Sequence, residues 1–388
     1  MTESIVDLRA AGDVFSDVEN GEAAFAPVAP LLTPGDIVLG NCEGVYSDRP
    51  AKSPTHKHFM GTGTVRAEPL KTAGFTVMTA SNNHTLDGGY VGLDDTRATL
   101  KSLGIDTPGA GANLDEATRP YVTEHNGVRV AIVGFTTVFP KGYEARPNRP
   151  GLAPLRVTTS YLDPDENFWE PGIPPLITTA AVPEDLERCR RSIAAAREQA
   201  DIVVVSMHWG YSHVLERLMD YEPRLARDAV DHGADVVLCT HHHALRPVEF
   251  YAGRPIFYGT GALVHHFQGP SVTPAMRANS MNRYGELSSM RPPAEEFELW
   301  PFAEEARRSM VVALSLRKGE NPVAEVGFFP AQMLADASTT ALEPGDPRAS
   351  VIADYVQRMS AEQGFPAAFE LTERDGWAYV RVTDPAAG

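Results

Sequence analysis

Short apolar segments that recur along the chain constrain its fold more than any other feature. Val128 to Phe135 and Ile202 to Met207 are apolar almost throughout, as strands buried on both faces are. Helical patterns separate such segments, among them Pro183 to Gln199, which opens with proline. This alternation predicts an α/β protein with mixed sheets. The predicted strands are Ile5 to Ala11, Ile37 to Asn41, Phe75 to Ser81, Val128 to Phe135, Ile202 to Met207, Val236 to Cys239 and Ile256 to Tyr258.

Three stretches depart from this alternation. Residues 140–183 and 267–302 are rich in proline, polar residues and aromatics, which is typical of long loops that cover a site. Residues 331–388 contain one helical pattern, Val351 to Glu362, and a short β-rich end. We therefore expect one catalytic domain over residues 1–330, with 331–388 as a C-terminal appendage packed on it.

The charge balance and the cysteines exclude several classes of protein. A formal net charge of -17 argues against a nucleic-acid partner, because phosphate recognition needs a basic face. The three cysteines are far apart and form neither a disulfide framework nor a zinc-binding spacing, so a reducing compartment fits best. No secretory signal pattern and no bilayer-length apolar stretch occurs in the sequence. These observations predict a soluble cytoplasmic protein with no membrane partner.

Polar side chains that can bind metal follow many of the predicted strands. In layered α/β folds, loops at the carboxyl ends of strands converge on one crevice, so residues distant in sequence can share a site. Carboxylates, amide oxygens and imidazoles together suit a divalent cation such as Mn, Fe, Zn or Ca. The residues at these strand ends are Asp13, Glu43, Asn82, Asn83, His84, Asp87, His208, His241, His242 and His243.

Each of these residues also has a simpler interpretation. Asp13 could cap a turn, and Glu43 could be a solvated loop acid. His208 is harder to dismiss, because a histidine that ends a buried strand needs a polar partner. Alternation along an extended chain would turn His241 and His243 to one face and the intervening histidine to the other, so the outer two are the expected ligands.

Several ordered motifs together resemble the CapA family, within the calcineurin-like metallophosphoesterase superfamily. The resemblance runs from about residue 5 to about residue 330 and implies a four-layer α/β/β/α sandwich with a metal centre at its strand ends. The motifs that carry it are Gly12-Asp13, Gly35-Asp36-Ile37-Val38-Leu39-Gly40-Asn41-Cys42-Glu43, Ser81-Asn82-Asn83-His84 with Asp87, Gly109-Ala110-Gly111, Met207-His208-Trp209-Gly210, His241-His242-His243 and Tyr258-Gly259-Thr260-Gly261.

The resemblance implies roles for individual residues. His84 with Asp87 matches the acid/base element of the superfamily, and the metal-binding or metal-adjacent positions match Asp13, Glu43, Asn83, His208, His241 and His243. The sequence also departs from the pattern. Phe15 stands where the superfamily has a histidine ligand, Cys239 where it has glycine and Ala262 where it has asparagine. These departures argue against a complete two-metal site. Loss of an imidazole shifts ligation toward oxygen and water, so we expect Ca, Mn or Zn, and a single hard cation such as Ca or Mn becomes compatible with the site.

Three functions are compatible with this pattern. Family members include peptide epimerases, so the first is metal-dependent inversion of a Cα centre in a ribosomally made, lasso-type precursor peptide. His84 with Asp87 would form one acid/base pair, and His241 or His243 with Asp13 the other. The alternatives are metal-dependent phosphoester hydrolysis and a component of poly-γ-glutamate or capsule biosynthesis. The partner would be a precursor peptide or a poly-amino acid, the oligomeric state is open, and the residues expected to contact substrate are His58, Trp209, His265 and Trp300.

Overall fold

A computed structural model describes residues 4–55, 59–163, 171–212, 214–266, 273–292, 297, 299–300 and 302–386. His58, which the sequence analysis expects to contact substrate, lies outside these residues. The strands are β1 (Val6–Phe15), β2 (Ile37–Cys42), β3 (Val45–Tyr46), β4 (Gly61–Thr62), β5 (Val77–Thr79), β6 (Ala110–Gly111), β7 (Tyr121–His125), β8 (Val128–Thr136), β9 (Gly151–Leu152), β10 (Val157–Leu162), β11 (Leu176–Ala181), β12 (Ile202–His208), β13 (Val236–Thr240), β14 (Val248–Tyr251), β15 (Arg254–Phe257), β16 (Ala262–His265), β17 (Arg308–Leu316), β18 (Val323–Met333), β19 (Thr339–Ala341), β20 (Ala368–Arg374) and β21 (Trp377–Thr383).

Helices occupy most of the longer connections between these strands. The helices are α1 (Gly21–Phe25), α2 (Ala29–Leu32), α3 (Glu68–Thr72), α4 (Gly89–Ser102), α5 (Leu114–Ala117), α6 (Pro183–Gln199), α7 (Tyr221–Asp231), α8 (Pro274–Tyr284) and α9 (Pro347–Glu362). Short 3-10 turns cover Thr64–Ala67, Gly285–Leu287 and Glu304–Arg307.

Two large sheets build the scaffold. The first has nine strands in the order β20-β21-β18-β17-β1-β2-β5, with β16 also paired to β1 and β19 to β18. The second has six strands in the order β14-β15-β13-β12-β8-β7. Both sheets are mixed, since β1 runs parallel to β2 but antiparallel to β17, and β12 runs parallel to β13 while β14 and β15 are antiparallel.

The sheets face each other, and helices cover their outer faces. Buried side chains of both sheets, such as Leu8, Leu39, Ile132 and Val204, form a common core. A second cluster packs α1 to α4 on the outside of the nine-stranded sheet, and a third packs α6 and α7 on the outside of the six-stranded sheet. The chain is thus the four-layer α/β/β/α sandwich with mixed sheets that the sequence predicts.

The local sequence explains where the main elements begin and turn. Every predicted strand is present, and α6 spans Pro183–Gln199, with its proline in the first turn, as predicted. The β7–β8 hairpin turns at Asn126 and Gly127, with φ of 51° and 76°, which is the left-handed conformation that an Asn-Gly turn favours.

The three irregular stretches contain more structure than the sequence suggests. Residues 140–183 include the β10–β11 hairpin, and residues 267–302 include α8. Residues 331–388 continue the nine-stranded sheet, because β21 hydrogen-bonds to β18 through Gly327 and Phe328. Side chains of α9 enter the core between the two sheets.

No helix among the described residues combines the length and the apolar character that crossing a bilayer requires.

Candidate metal centre

The residues expected to bind metal meet at the carboxyl ends of strands from both sheets. Asp13 lies in β1, Glu43 follows β2, and His208 is the last residue of β12. His241 and His243 follow β13 directly. All five side chains are buried, so the strand ends enclose them in the interior of the molecule.

The backbone of β1 is shaped around Asp13. This strand pairs with β17 over Val6 to Ala10 and with β16 from Asp13 onward. Its register with β2, on the other side, is irregular between Ala10 and Asp13. A Cβ atom on Gly12 would lie 1.8 Å from the carbonyl oxygen of Gly261, so only glycine allows this close approach. The Asp13 amide then donates to the same carbonyl at 3.1 Å.

Two groups of buried side chains share Glu43. One group joins Glu43 with His243 and His265, and the other joins it with His208 and His241, each with its candidate ligand atoms within 4.8 Å of one another. Oε2 of Glu43 lies 3.3 Å from Nε2 of His265 and 3.7 Å from Nδ1 of His243. Oε1 lies 3.5 Å from Nε2 of His208. One carboxylate therefore presents an oxygen to each group, as a ligand shared by two ions does.

Asp13 and Asn83 extend these two groups. Oδ2 of Asp13 lies 3.1 Å from Nδ1 of His243 and accepts the His241 amide at 3.0 Å, while Oδ1 accepts Nδ2 of Asn41 at 2.8 Å. Asn83 places its Oδ1 2.7 Å from Nε2 of His208. Asp13 thus belongs with His243, and Asn83 belongs with His208.

Buried charge at the centre fits a cation. The two oxygens of Glu43 receive no hydrogen bond from the described residues, and burial, followed by the charge of Asp13, raises the pKa of Glu43 well above its usual range. Burial also acts to raise the pKa of Asp13, but the hydrogen bond and charge of His243 outweigh it and lower that pKa. A buried carboxylate without a donor is costly unless a cation compensates it. The donor set therefore fits divalent metal.

Two of the imidazoles, those of His208 and His265, are held in the form that binds metal. Burial lowers the pKa of His208 to about 3, and burial, followed by the charge of His243, lowers the pKa of His265 well below its usual value. Both rings are neutral at pH 7, and a neutral ring offers a nitrogen lone pair. Nδ1 of His208 is oriented by contacts with Thr240 Oγ1 at 2.9 Å and Asn41 Nδ2 at 3.2 Å.

His265 corrects one expectation. The sequence assigns it a substrate contact and expects an oxygen-rich ligand set because Phe15 replaces a histidine. In the structure, β16 runs parallel to β1 with His265 opposite Phe15, and the His265 ring occupies the centre. The candidate ligands therefore include four imidazoles, His208, His241, His243 and His265. Only the register of β16 against β1 reveals this replacement.

His242 points away from its two neighbours. Its Nε2 lies 2.9 Å from Oε2 of Glu222, and both side chains are fully buried. His241 and His243 share a side, as expected, although the chain there is not extended: their φ angles are 93° and 52°. A left-handed backbone at two non-glycine residues is strained and needs support from its surroundings.

A hydrogen-bonded histidine–aspartate pair lies beside the centre. Nδ1 of His84 is 2.7 Å from Oδ2 of Asp87, and this carboxylate also accepts the Met60 amide at 2.9 Å and the Tyr143 hydroxyl at 3.0 Å. The His84 amide donates to Oδ1 of Asn82 at 3.0 Å. Three donors fix the Asp87 carboxylate, which in turn fixes the tautomer and the orientation of the His84 ring. Tyr143 did not stand out in the sequence as a supporting residue, whereas Asn41 belongs to a motif at a strand end.

The two tryptophans expected to contact substrate are fully buried. The Trp300 ring lies 5.6 Å from the His265 ring and 5.8 Å from the His243 ring, and its indole nitrogen donates to the Ala306 carbonyl. Trp209 packs edge-on against Tyr221. Neither indole offers a surface on which a substrate could lie. Trp300 supports the centre from behind, whereas Trp209 belongs to the core cluster on the outside of the six-stranded sheet.

Comparisons with known proteins cover the whole candidate centre. The family model described as "Bacterial capsule synthesis protein PGA_cap" matches residues 6–266. The chain is 32% identical to "PGA biosynthesis protein CapA" of Bacillus subtilis (strain 168), over 64% of this chain and 58% of that protein. It is 30% identical to "Capsule biosynthesis protein CapA" of Bacillus anthracis, over 62% of this chain and 53% of that protein.

A third relative matches along nearly its full length. The "Uncharacterized protein y4sH" of Sinorhizobium fredii (strain NBRC 101917 / NGR234) is 27% identical, over 96% of this chain and 92% of that protein. The two Bacillus proteins, by contrast, are matched over little more than half of their length.

Proposed function

Because the chain belongs to the bacterial capsule synthesis protein family PGA_cap, we propose that it is a metal-dependent hydrolase acting on a poly-amino acid of the poly-γ-glutamate type. The shared position of Glu43 between two ligand groups carries the proposal. Paired metal ions that share a carboxylate are typical of hydrolases, in which they stabilise both the attacking and the departing atoms.

The substrate class comes from the names of the relatives. "PGA biosynthesis protein CapA" and "Probable polyglutamine synthesis accessory protein" of Mycobacterium tuberculosis both refer to amino-acid polymers, and the latter is 34% identical over 50% of this chain. A polymer joined by amide bonds gives the two-group centre a bond to cleave. Such an enzyme would trim or release the chain that the capsule machinery makes.

The ligand set favours a transition metal. Four imidazoles contribute to the two groups, and imidazole suits Zn or Fe better than Ca, while the carboxylate and amide oxygens also allow Mn. When bound, such ions would polarise the scissile carbonyl and neutralise the negative charge that develops on it. Asp13, His243 and His265 would hold one ion, while Asn83, His208 and His241 would hold the other, with Glu43 common to both.

His84 would provide the proton that amide cleavage requires. Hydrolysis adds water across the C–N bond, so the carbonyl carbon gains oxygen and the departing nitrogen gains a proton. Asp87 engages Nδ1 of His84, which assigns proton transfer to Nε2. A positioned histidine contributes about 10²–10⁴-fold to such a step.

Inversion of a Cα centre is the second candidate. Two His/carboxylate pairs favour it: His84 with Asp87 at 2.7 Å and His243 with Asp13 at 3.1 Å. However, Nδ1 of His243 also approaches Glu43 to 3.7 Å, so the second pair has the geometry of two ligands of one ion. A nitrogen that binds metal cannot also remove a proton, and for this reason we favour hydrolysis.

One experiment separates the candidates. The protein, loaded separately with Zn²⁺, Mn²⁺ or Ca²⁺, is incubated with poly-γ-glutamate in deuterated buffer, and chain length and deuterium content are measured by mass spectrometry. Hydrolysis predicts shorter chains with no deuterium at Cα. Deuterium at Cα of intact chains would instead establish inversion. If the protein instead hydrolysed an aryl phosphate and left poly-γ-glutamate intact, the result would support phosphoester hydrolysis and contradict the proposal.

Matched variants tie the activity to the centre. Glu43→Gln keeps the shape of the side chain but removes the shared charge, so chain cleavage should fall to background. Glu370→Gln removes an exposed glutamate whose contact, Arg381, lies on the distant β21 strand, so this variant should cleave normally.

A further inference from the structure

A cleft of about 440 Å³ lies against the acid/base pair and has no role in the centre described above. Tyr143 forms part of its wall and donates its hydroxyl to Oδ1 of Asp87 at 3.0 Å. Ser53 also lines the cleft, and its amide donates to the Asp87 carbonyl at 2.8 Å. Two lining residues of the cleft are thus hydrogen-bonded to Asp87, the residue that orients His84.

The cleft is basic in a strongly acidic protein. Among the described residues, Lys52 and Lys141 are the charged groups that line it, and no aspartate or glutamate does. Neither ammonium group forms an ion pair with a carboxylate in the described part of the chain, and the Lys52 ammonium lies 4.6 Å over the Phe59 ring. Two lysines without an acidic partner in that part stand out on a chain with a net charge of -17. This local charge favours an anionic ligand.

The remaining lining groups suit a carboxylate on an aliphatic stem. Ser53 and Thr55 contribute hydroxyl groups, and Leu86 and Tyr90 contribute apolar surface. Gly89 to Val91 at the start of α4 also line the cleft, and this 14-residue helix has no side-chain cap at its N-terminus. Its dipole adds to the attraction that the two lysines exert on an anion. The volume falls within the range of about 300–1,000 Å³ typical of small-ligand sites.

We propose that this cleft is a subsite for carboxylate-bearing residues of a poly-amino acid and holds the chain beside His84. The proposal rests on the proposed function for the identity of the polymer. Lys52 and Lys141 pair with side-chain carboxylates, while Leu86 and Tyr90 cover the methylene groups. The cleft thereby makes the protein select an anionic chain over a neutral one of the same backbone.

Binding measurements test the subsite independently of cleavage. Dye-labelled γ-linked pentaglutamate is titrated with the full chain by fluorescence anisotropy, and mass spectrometry verifies that the probe stays intact. γ-Linked pentaglutamine serves as the neutral probe. We expect the anionic probe to bind at least tenfold more tightly, and Lys52→Gln with Lys141→Gln to abolish that preference without changing the affinity for the neutral probe.

A matched double variant controls for net charge. Lys101→Gln with Lys318→Gln removes two lysines that pair with Asp106 and Asp201 away from the cleft. This variant should keep the preference for the anionic probe. The subsite would be overturned if the wild-type chain bound both probes with equal affinity. It would also be overturned if both double variants lost the preference for the anionic probe to the same extent. Selective binding without any chain cleavage would retain the subsite and reject the proposed hydrolysis.

Discussion

Nε2 of His265 lies 3.3 Å from Oε2 of Glu43, on the strand that pairs with β1 at Phe15. An imidazole on the neighbouring strand thus lies at the register position of Phe15, where the resemblance implies a histidine. This single contact turns an incomplete ligand set into two groups that share one carboxylate, and it is the structural reason to expect two ions rather than one.

Removal of the His265 ring should cost one of the two ions. We expect His265→Phe to bind one equivalent of metal where the wild type binds two, because Asp13 and His243 alone hold the first ion too weakly. Elemental analysis after dialysis measures the stoichiometry. His232→Ala, on the exposed end of α7, is the control and should retain both ions. Two equivalents in His265→Phe would contradict the assigned ligand.

The imidazole ring can be moved from β16 to β1 by exchanging the residues at positions 15 and 265. A double variant, Phe15→His with His265→Phe, returns the imidazole to β1 at the paired register position. We expect it to recover at least part of the lost stoichiometry, because the two residues are paired on adjacent strands and their ring centroids lie 6.3 Å apart. Stoichiometry that stays at the level of His265→Phe would show that only β16 can position the ring.

Loss of His84 should separate chemistry from metal binding. We expect His84→Ala to bind metal normally but to lose about 10²–10⁴-fold in kcat, because its ring transfers a proton and belongs to neither ligand group. Tyr143→Phe removes one of three donors to Asp87 and should lose less. A His84→Ala variant that cleaves the polymer at the wild-type rate would remove this residue from the mechanism.

Glu222 should influence metal affinity through His242. Its carboxylate anchors the ring between two strained ligands, so we expect Glu222→Ala to weaken metal binding by about 10–100-fold, as loss of outer-shell partners does. Glu222→Gln retains an acceptor for that ring and should recover much of the affinity. Competition with a chromophoric chelator measures this series. Thermal unfolding in EDTA is the control. If Glu222 has only a structural role, both variants should lose the same stability in EDTA, and neither should lose metal affinity selectively.

Asp185 should contribute pH-dependent stability far from the centre. Burial acts to raise its pKa, but hydrogen bonds from Arg156 and the pair with Arg188 outweigh burial and lower the pKa below 3.8. A lowered pKa in the folded state adds stability above pH 3.8, and this stability is lost as the pH falls through the folded value. We expect Asp185→Asn to cost about 2 kcal/mol at pH 7.

Chemical unfolding at several pH values measures this effect. The difference in unfolding free energy between the wild type and Asp185→Asn should shrink below pH 3.8, where the unfolded carboxyl becomes protonated. Asp94→Asn, at an exposed position of α4, should show little difference at any pH. A constant difference from pH 7 to pH 3 would show that shape rather than charge stabilises this contact.

The scaffold could be predicted from the sequence because local patterns determine it. Continuous apolar segments such as Val203 to Val205 are typical of buried strands, and polar residues at their ends, such as His208, need partners. The alternation of such strands with helices indicates α/β layers with mixed sheets, and the four-layer arrangement is what the resemblance to the CapA family implies. Long-range pairing leaves no local trace, so the joining of β21 to β18 was not visible in the sequence.

In the site, too, local motifs could be predicted from the sequence and long-range pairing could not. Motif order located Asp13, Glu43 and His208, but the role of His265 depends on a parallel register that no short motif encodes. Burial is equally hidden: Trp300 resembles a substrate contact in a loop-rich stretch, yet its ring packs behind the ligand imidazoles.

The position of bound metal relative to Glu43 tests the central claim most directly. Crystals of the Mn²⁺-loaded protein, measured on both sides of the Mn absorption edge, locate each ion by its anomalous signal. We predict two peaks about 3.5–4 Å apart, each beside a different carboxylate oxygen of Glu43, with His265 next to one and Asn83 next to the other. A single peak, or two peaks of which only one touches Glu43, would contradict the account.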